Sequence, residues 1–589
     1  MTRRQKGSGI FMAERMQAAQ RRLREGGAES VLIVGGGING IATLRELALQ
    51  GINAVLVERN DYCSGASAAS SHMIHGGIRY LENGEFRLVQ ESVRERNRLL
   101  RLAPHRVRPL ETVVPLFSTW SGLISAPLRL IRHRRSGRPA ERGALLVKVG
   151  LILYDLYSRD GGRVPRHKFH GRRKSLEAMP RLNPDVKYTA AYFDASIADP
   201  ERLALELLVD ALATGNAESL NYTEVIGENE DGILLRDRTT GEEAAVRPGL
   251  VVNATGPWTD MTNAALGRPT HWMGGTKGSH IVVDNPDLLE ACGGREVFFE
   301  HADGRIVLIY PLAGRVLIGT SDIHARGELD TVISEEEIVY FLDLVHHVFP
   351  DIEVRRDQIV HTFSGVRPLP SEGDAAPGFI SRDYRIERDR SPRGTRLVSL
   401  VGGKWTTFRA VSEHLADTVL TEVGVQRTVS TTDLPIGGGK GYPALREQDR
   451  WLAEHSQGLP IATMRTLFER YGTRAAEAAA VIAQDDQALA ILEDYSRGEI
   501  RWIATAESVV RLADVVLRRT SIAFTGRASQ EALEELAEVV GGALGWDDER
   551  RAEEVRRTFD ELASRHPSRS TDALTESTDA KVSSSTASS

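Results

Sequence analysis

Three glycines near the start of the chain have the spacing Gly-x-Gly-x-x-Gly: Gly35, Gly37 and Gly40. In a strand-to-helix turn with this spacing, the first glycine permits a tight bend and the second leaves room for a pyrophosphate. The third lets the helix pack closely on the strand. Glu58 follows at the end of the next apolar run, where its carboxylate can accept hydrogen bonds from ribose hydroxyls. These residues predict a dinucleotide site; the alternative is a structural turn.

The elements around these glycines have the pattern of a strand, a helix and a second strand. Val31–Val34 is an apolar run that leads directly into the glycines, and residues 54–58 form the second run. Between them, four apolar residues recur at helical spacing: Ile41, Leu44, Leu47 and Ala48. The helix N-terminus would offer free N–H groups and partial positive charge to phosphates.

The rest of the chain alternates in the same way, with further strands at residues 249–253 and 396–401. This pattern predicts an α/β fold with a parallel sheet. From about Tyr442 the apolar residues keep helical spacing with few strand signals, which predicts a C-terminal helical domain. The glycine run at 437–439 is its predicted linker.

The glycine turn alone does not distinguish FAD from NAD, but two later features favour FAD. One is a strand that ends in Gly256-Pro257, which resembles the returning strand of glutathione-reductase-like flavoproteins. The other is a strand followed by Gly402-Gly403 and a helix, whose N-terminus could donate to the flavin edge that gains negative charge on reduction. An ordinary strand-to-helix connection is the alternative for this second feature.

Several motifs, in this order, resemble those of the FAD-dependent glycerol-3-phosphate dehydrogenases. They are residues 58–81, Asn253 to Trp258, Lys277-Gly278-Ser279-His280, Gly319-Thr320-Ser321-Asp322, Ser364 to Leu369 and Gly403-Lys404-Trp405-Thr406-Thr407. The resemblance runs from about residue 29 to 435 and continues less distinctly beyond. It implies an FAD-binding Rossmann-like domain, an antiparallel-sheet substrate domain, a C-terminal α-helical cap, a dimer and electron delivery to a membrane quinone. The implied FAD contacts are Gly35, Gly37, Asn39, Gly40, Glu58, Ser71, His75, Gly76, Gly77, Gly256, Gly402, Gly403 and Thr406.

The implied substrate, sn-glycerol 3-phosphate, carries about two negative charges, which favours convergent cations. Arg79, Arg367 and Lys404 are the candidates, although each alone could be a surface or structural cation. Tyr80 is expected to hydrogen-bond the substrate or to pack against the ring. His280, and as a second candidate His75, could take the C2 hydroxyl proton because the ordinary pKa of histidine lies near working pH. A structural histidine is the alternative. Arg367, Lys404 and His280 are therefore the expected catalytic residues.

The predicted reaction is oxidation of glycerol 3-phosphate to dihydroxyacetone phosphate by hydride transfer to flavin N5, with a quinone as electron acceptor. Three alternatives remain open: an oxidase that uses O2, an amine oxidase of the glycine or sarcosine type, and a flavin-binding or membrane-docking protein without catalysis. Residues 194–202 carry Pro200 where many relatives have an aspartate, so the sequence predicts no role for this stretch.

The predicted organisation has eight segments. They are a basic N-terminal extension (1–28), three parts of the FAD-binding domain (29–118, 176–265 and 361–436), a basic segment suited to membrane contact (119–175), the substrate domain (266–360), the helical domain (440–567) and a disordered tail (568–589).

Composition limits the function classes. The 589 residues carry a net charge of −7, which gives no indication of nucleic-acid binding. The chain has two cysteines, Cys63 and Cys292, which argues against a disulfide framework or a cysteine-rich metal site and fits a cytoplasmic protein. The segment from Arg129 to Lys174, however, contains fourteen Lys and Arg residues but only three acidic residues. Interleaved apolar stretches make this segment suitable for peripheral attachment to the inner face of an anionic membrane, with a solvated loop as the alternative.

Overall fold

The computed structural model describes residues 8–77, 86–118, 147–148, 150–152, 154–155, 164–300, 306–325, 327–329, 331–371 and 382–565. The predicted disordered tail and most of the basic segment lie outside these residues. The predictions made for them therefore remain predictions.

The glycine turn lies at the end of the central strand of a six-stranded sheet. The order is β18-β19-β11-β1-β2-β7, parallel except for the edge strand β18. Its strands are β1 (Val31–Val34), β2 (Ala54–Val57), β7 (Ala217–Leu220), β11 (Leu250–Asn253), β18 (Arg385–Arg390) and β19 (Arg396–Val401). Every residue of β1, β2 and β11 is buried, as expected for a parallel sheet covered on both faces. The predicted α/β class is confirmed.

Helices cover this sheet on both sides. The helices that precede the C-terminal part are α1 (Ser8–Gly26), α2 (Ile38–Leu49), α3 (Phe86–Leu102), α4 (Arg172–Ala178), α5 (Pro200–Ala213), α6 (Thr259–Ala265), α7 (Pro286–Cys292), α8 (Glu335–Val348) and α9 (Phe408–Val423). Of these, α2, α5 and α9 pack together on one face of this sheet, whereas α4, α7 and α8 pack on a second sheet. The predicted N-terminal extension forms α1, which packs on the other face through buried Ala19 and Leu23. Arg15 Nη2 also donates to Ser219 O over 2.6 Å, so this helix is an integral part of the domain.

A second, ten-stranded sheet has the order β16-β12-β15-β14-β13-β4-β6-β3, with β17 paired to β12 and β5 paired to β6. It is antiparallel except for the β13–β4 pair. Its strands are β3 (Met73–Ile74), β4 (Val107–Leu116), β5 (Lys168–Gly171), β6 (Tyr188–Ile197), β12 (Thr276–Val283), β13 (Glu296–Glu300), β14 (Ile306–Leu312), β15 (Arg315–Gly319), β16 (Ile323–His324) and β17 (Ile359–Arg367). A small antiparallel sheet contains β8 (Thr223–Asn229), β9 (Gly232–Asp237) and β10 (Glu243–Val246).

The predicted domain boundaries need correction at five strands of the ten-stranded sheet. The sequence places β3, β4, β6 and most of β17 in the FAD-binding domain and β5 in the basic segment, but all five join the substrate sheet. The chain crosses between the two sheets several times. Strand partners are far apart in sequence, so local patterns identify a strand without identifying its sheet.

The C-terminal part is helical, as predicted. Its helices are α10 (Gln448–His455), α11 (Ile461–Tyr471), α12 (Ala475–Ile482), α13 (Arg497–Ala506), α14 (Leu512–Asp514), α15 (Gln530–Leu544) and α16 (Asp548–Arg565), with a π-helical turn at Val515–Arg519. The glycine linker before them is tightly packed. A Cβ on Gly438 would lie 2.0 Å from Tyr471 O, and one on Gly439 would lie 2.2 Å from Leu102 O.

Candidate active site

The three glycines of the turn have different roles. Gly35 has a φ of +109°, and a Cβ on Gly40 would lie 1.9 Å from Gly35 O, so the bend and the helix–strand contact both require glycine. The nearest atom to a Cβ on Gly37 would be Ser67 Oγ at 3.1 Å. Gly37 is also the N-cap residue of α2. The protein itself thus requires Gly35 and Gly40, whereas Gly37 borders the space expected for a pyrophosphate.

Glu58 is held against the glycine turn. Its Oε2 accepts a hydrogen bond from Gly36 N over 2.7 Å, and its Oε1 accepts one from Asn60 N over 2.9 Å. Burial raises the pKa of this carboxyl, and the two backbone bonds oppose the shift. Each oxygen retains a second acceptor site for a ribose hydroxyl.

Ser67, which is not among the residues predicted from the sequence, joins the two glycine turns. Its Oγ accepts from Ile38 N over 3.0 Å, and its carbonyl accepts from Trp405 Nε1 over 3.1 Å. Gly403, with a φ of +101°, would place a Cβ 2.9 Å from Asn39 Nδ2. The buried Asn39 Oδ1 has no hydrogen-bond partner among the described residues. No local pattern indicates Ser67, because it lies in a run of small residues.

Both turns therefore offer donors and an unsatisfied acceptor around one space, which fits a dinucleotide. Gly402 has a φ of +92° at the end of β19, and Thr406 is buried in the 3-10 turn that precedes α9. Gly256 has a φ of +60°, and a Cβ there would lie 3.8 Å from Pro368. The Gly256 turn thus lies beside the end of β17, which carries Arg367.

Arg367 is fixed by the substrate sheet. Its Nη2 donates to Thr320 Oγ1 over 2.8 Å and to Ser321 O over 3.1 Å, and its Nη1 pairs with Asp322 Oδ1 over 3.2 Å. A Cβ on Gly278 would lie 2.3 Å from the guanidinium, so that glycine makes the room for it. Asp322 also pairs with Arg382 over 3.5 Å, a cation that no sequence motif indicates.

A second group of charges surrounds His75. Burial, followed by the charges of Lys404 and Arg382, lowers the pKa of His75 to about 4, although Asp194 opposes the shift. Lys404 Nζ donates to Ser92 Oγ over 2.6 Å. The charges of Lys404 and Arg382 thus both act on His75, and Arg382 shares Asp322 with Arg367.

His280 lies on β12 with its ring stacked on Phe363 at 4.7 Å. Its Nε2 shares a hydrogen bond of 2.8 Å with Ser71 Oγ, so the predicted cofactor contact Ser71 lies directly against the predicted base. Burial, followed by the charges of Arg367 and His72, holds the pKa of His280 well below its usual range. The imidazole is therefore uncharged near neutral pH, and its lowered pKa makes it a weaker base than an ordinary histidine.

The loop after His75 is held by a hydrogen bond from its backbone to Asp194. Gly76 N donates to Asp194 Oδ1 over 2.9 Å, and Gly77 has a φ of +74°. The predicted substrate residues Arg79 and Tyr80 lie outside the described residues.

Among the described residues, no group of three or more His, Cys, Asp or Glu could hold a metal ion. In the same part of the chain, no helix is long and apolar enough to span a membrane.

Comparison with known proteins identifies the family. The FAD dependent oxidoreductase family profile matches residues 30–418, and the C-terminal domain of alpha-glycerophosphate oxidase matches residues 429–551. The chain is 33% identical to a glycerol-3-phosphate dehydrogenase of Synechocystis sp., over 90% of this chain and 95% of the relative. The chain belongs to the FAD-dependent glycerol-3-phosphate dehydrogenase family. The predicted family and the predicted cofactor, FAD, are both confirmed.

One of the other relatives is named for a different alcohol. The chain is 32% identical to a D-erythritol 1-phosphate dehydrogenase of Brucella abortus, over 83% of this chain and 93% of the relative. It is 29% identical to the mitochondrial glycerol-3-phosphate dehydrogenase of Bos taurus, over 89% of this chain and 72% of the relative. The fold is similar to a solved glycerol-3-phosphate dehydrogenase from Bacillus halodurans complexed with FAD, with a TM-score of 0.71, 23% identity and coverage of 94% of this chain and 98% of that one.

Proposed function

We propose that this enzyme oxidises sn-glycerol 3-phosphate to dihydroxyacetone phosphate and passes the electrons to a quinone. The observation that carries the proposal is the cluster of Arg367, Arg382 and Lys404 beside two neutral histidines. A phosphomonoester needs several cations, and oxidation of a secondary alcohol needs a base for the hydroxyl proton. One region supplies both.

The cations have distinct roles in this proposal. In this proposal Arg367 binds two phosphate oxygens by exchanging donors that now contact Thr320, Ser321 and Asp322, while Lys404 acts as a point charge held by Ser92. Arg79 and Tyr80, predicted from the sequence, would complete the substrate site. His280 takes the C2 hydroxyl proton at Nε2 once the substrate hydroxyl replaces Ser71 as the hydrogen-bond partner of this atom, and His75 is the second candidate.

When bound, FAD supplies the acceptor at N5 for the hydride from C2 and the route by which two electrons reach the quinone. The cradle for it comprises the Gly35–Gly40 turn, Glu58 and the Gly402–Gly403 turn. The protein contributes orientation, charge compensation and the exclusion of water.

Anaerobic titration of the purified holoenzyme tests the reaction. Glycerol 3-phosphate should bleach the flavin absorbance near stoichiometry, whereas glycerol, which lacks the phosphate, should not. D-Erythritol 1-phosphate belongs in the same panel because a relative bears that activity in its name. If glycine or sarcosine bleaches the flavin and both polyol phosphates fail, the proposed substrate is wrong.

The electron acceptor needs its own assay. Reduced enzyme should reoxidise rapidly with a soluble quinone and slowly in air. Stoichiometric peroxide release in air without quinone would instead make the enzyme an oxidase.

Peripheral membrane attachment and a homodimer complete the proposal. Attachment is supported by the excess of Lys and Arg between Arg129 and Lys174. Each such residue near an anionic surface is worth about 1 kcal/mol, and salt screens the attraction. Binding to anionic vesicles should therefore weaken with salt and after joint replacement of Arg132, Arg134 and Arg135 by Glu. Lack of vesicle binding at low salt would contradict attachment.

Light scattering of the purified enzyme tests the dimer.

A further inference from the structure

A buried carboxylate lies against the backbone of the loop that carries His75. Asp194 Oδ1 accepts hydrogen bonds from Gly76 N over 2.9 Å, from Arg96 Nη1 over 2.8 Å and from Tyr154 Oη over 2.5 Å. The three side chains come from β6, α3 and the described residues 154–155 of the basic segment. One oxygen thus fixes Gly76 relative to three separate parts of the chain.

The loop and the cluster also fit each other sterically. A Cβ on Gly76 would lie 2.0 Å from the Tyr154 hydroxyl, so only glycine allows the backbone to approach this oxygen. Arg96 has a further bond from Nη1 to Phe193 O over 3.1 Å. Any displacement of Gly76 would therefore break hydrogen bonds in a region without solvent.

Stability alone is a weak reason for this arrangement. The side chains of Arg96 and Asp194 are 0% and 2% exposed, and a buried ion pair is often no more stabilising than apolar residues of similar volume. Such a pair does fix the position of the groups bonded to it, because separating the two side chains would leave each charge buried without its partner. The position it defines is that of residues 75–77, adjacent in sequence to Arg79 and Tyr80.

We propose that Asp194, Arg96 and Tyr154 form a positioning cluster that holds the loop of residues 75–77 in the geometry required for oxidation of the substrate. This role rests on the proposed function. The three residues act through the loop: they set the position of the His75 imidazole relative to Lys404 and Arg382. No sequence motif indicates them, since they lie in three distant segments.

Tyr154→Phe is the most informative variant because it removes one hydroxyl and keeps the ring. Tyr192→Phe is the matched control: the Tyr192 ring packs edge-on against Tyr154 at 5.8 Å and is equally buried. We expect Tyr154→Phe to lower the anaerobic rate constant of flavin reduction about tenfold, with little change in KM and full FAD content. Asp194→Asn should lower it further, and Tyr192→Phe should stay within about twofold of wild type.

Hydrogen–deuterium exchange of the holoenzyme supplies a readout that does not depend on turnover. The peptide that contains residues 75–77 should exchange faster in Tyr154→Phe than in Tyr192→Phe or wild type. A Tyr154→Phe enzyme with wild-type reduction and wild-type exchange overturns the positioning role. A lower melting temperature without either change also overturns it, because the cluster would then be only structural.

The two proposals can fail separately. If no polyol phosphate reduces the wild-type flavin, the proposed function is wrong, but the exchange comparison still decides whether the cluster holds the loop. If wild type is reduced and the variants behave alike in both assays, the function stands and the positioning role is wrong.

Discussion

Arg519 Nη2 donates a hydrogen bond to Asp61 Oδ1 over 2.8 Å, which joins the C-terminal helical domain to the turn that follows Glu58. Arg518 and Arg519 also both pair with the other oxygen of this carboxylate, and Asn221 Nδ2 donates to Oδ1 over 3.2 Å. Asp61 and Arg519 are both fully buried. The helical domain therefore supports the turn next to Glu58, at the edge of the predicted dinucleotide site.

We predict that Asp61→Asn weakens FAD retention as well as stability. Removal of one partner from a buried ion pair costs about 3–5 kcal/mol, and the turn next to Glu58 would lose its anchor. The ratio of FAD to protein after gel filtration and the unfolding temperature measure the two effects. Asp357→Asn, in an exposed pair with Arg355, is the control and should change neither. Full FAD content in a destabilised Asp61→Asn protein would contradict the link to the cofactor.

Gly37→Val should give folded but colourless protein. The valine side chain would project towards Ser67 and into the space expected for the pyrophosphate, while the protein packing around Gly37 would remain. Gly40→Ala should instead impair folding, because its Cβ would overlap Gly35 O. Flavin absorbance and circular dichroism separate these outcomes. Normal flavin content in Gly37→Val would mean that the pocket is wrongly assigned.

Arg367→Ala and Lys404→Ala should each lower kcat/KM for glycerol 3-phosphate by about 10–150-fold, because a hydrogen bond to a charged group is worth about 1.5–3 kcal/mol. Part of the loss should appear in kcat, because the phosphate contact also positions C2. FAD content should not change. Arg236→Ala, at an exposed cation of β9, is the control. Wild-type efficiency in both site variants would place the phosphate elsewhere.

Glu296→Gln should stabilise the protein at alkaline pH. Burial raises the pKa of Glu296 to about 8, with Thr112 opposing through a hydrogen bond of 2.8 Å. Because the unfolded chain ionises near its ordinary value, the folded state holds the extra proton. The free energy of unfolding of the wild type therefore falls by up to about 1.4 kcal/mol per pH unit as the pH rises from about 4.5 to 8.

The neutral amide of the variant removes this dependence. The unfolding temperature of Glu296→Gln should exceed that of wild type at pH 8, and the difference should shrink towards pH 5. Glu243→Gln, on an exposed edge strand, should show no such trend. A constant difference across this range would show that Glu296 does not carry the proton.

The sequence by itself determined the dinucleotide unit. Strand Val31–Val34, the glycine turn, helix α2 and Glu58 are close together in sequence, so local periodicity and spacing were sufficient to predict the elements and to indicate a dinucleotide site. The same holds for the helical character of the C-terminal domain. The motifs near Arg367, Lys404 and His280 identified the family because their order along the chain is specific.

The tertiary structure decided which of these residues meet. Arg367 and Arg382 share Asp322, and Lys404 lies near His75, although no local pattern connects these positions. It likewise assigned β3, β4, β5, β6 and β17 to the substrate sheet, and it placed Ser67 against Ile38 and Asp194 against Gly76. The physical reason is the same in each case: strand pairing and buried polar contacts join residues that are distant in sequence, and periodicity reports only on neighbours.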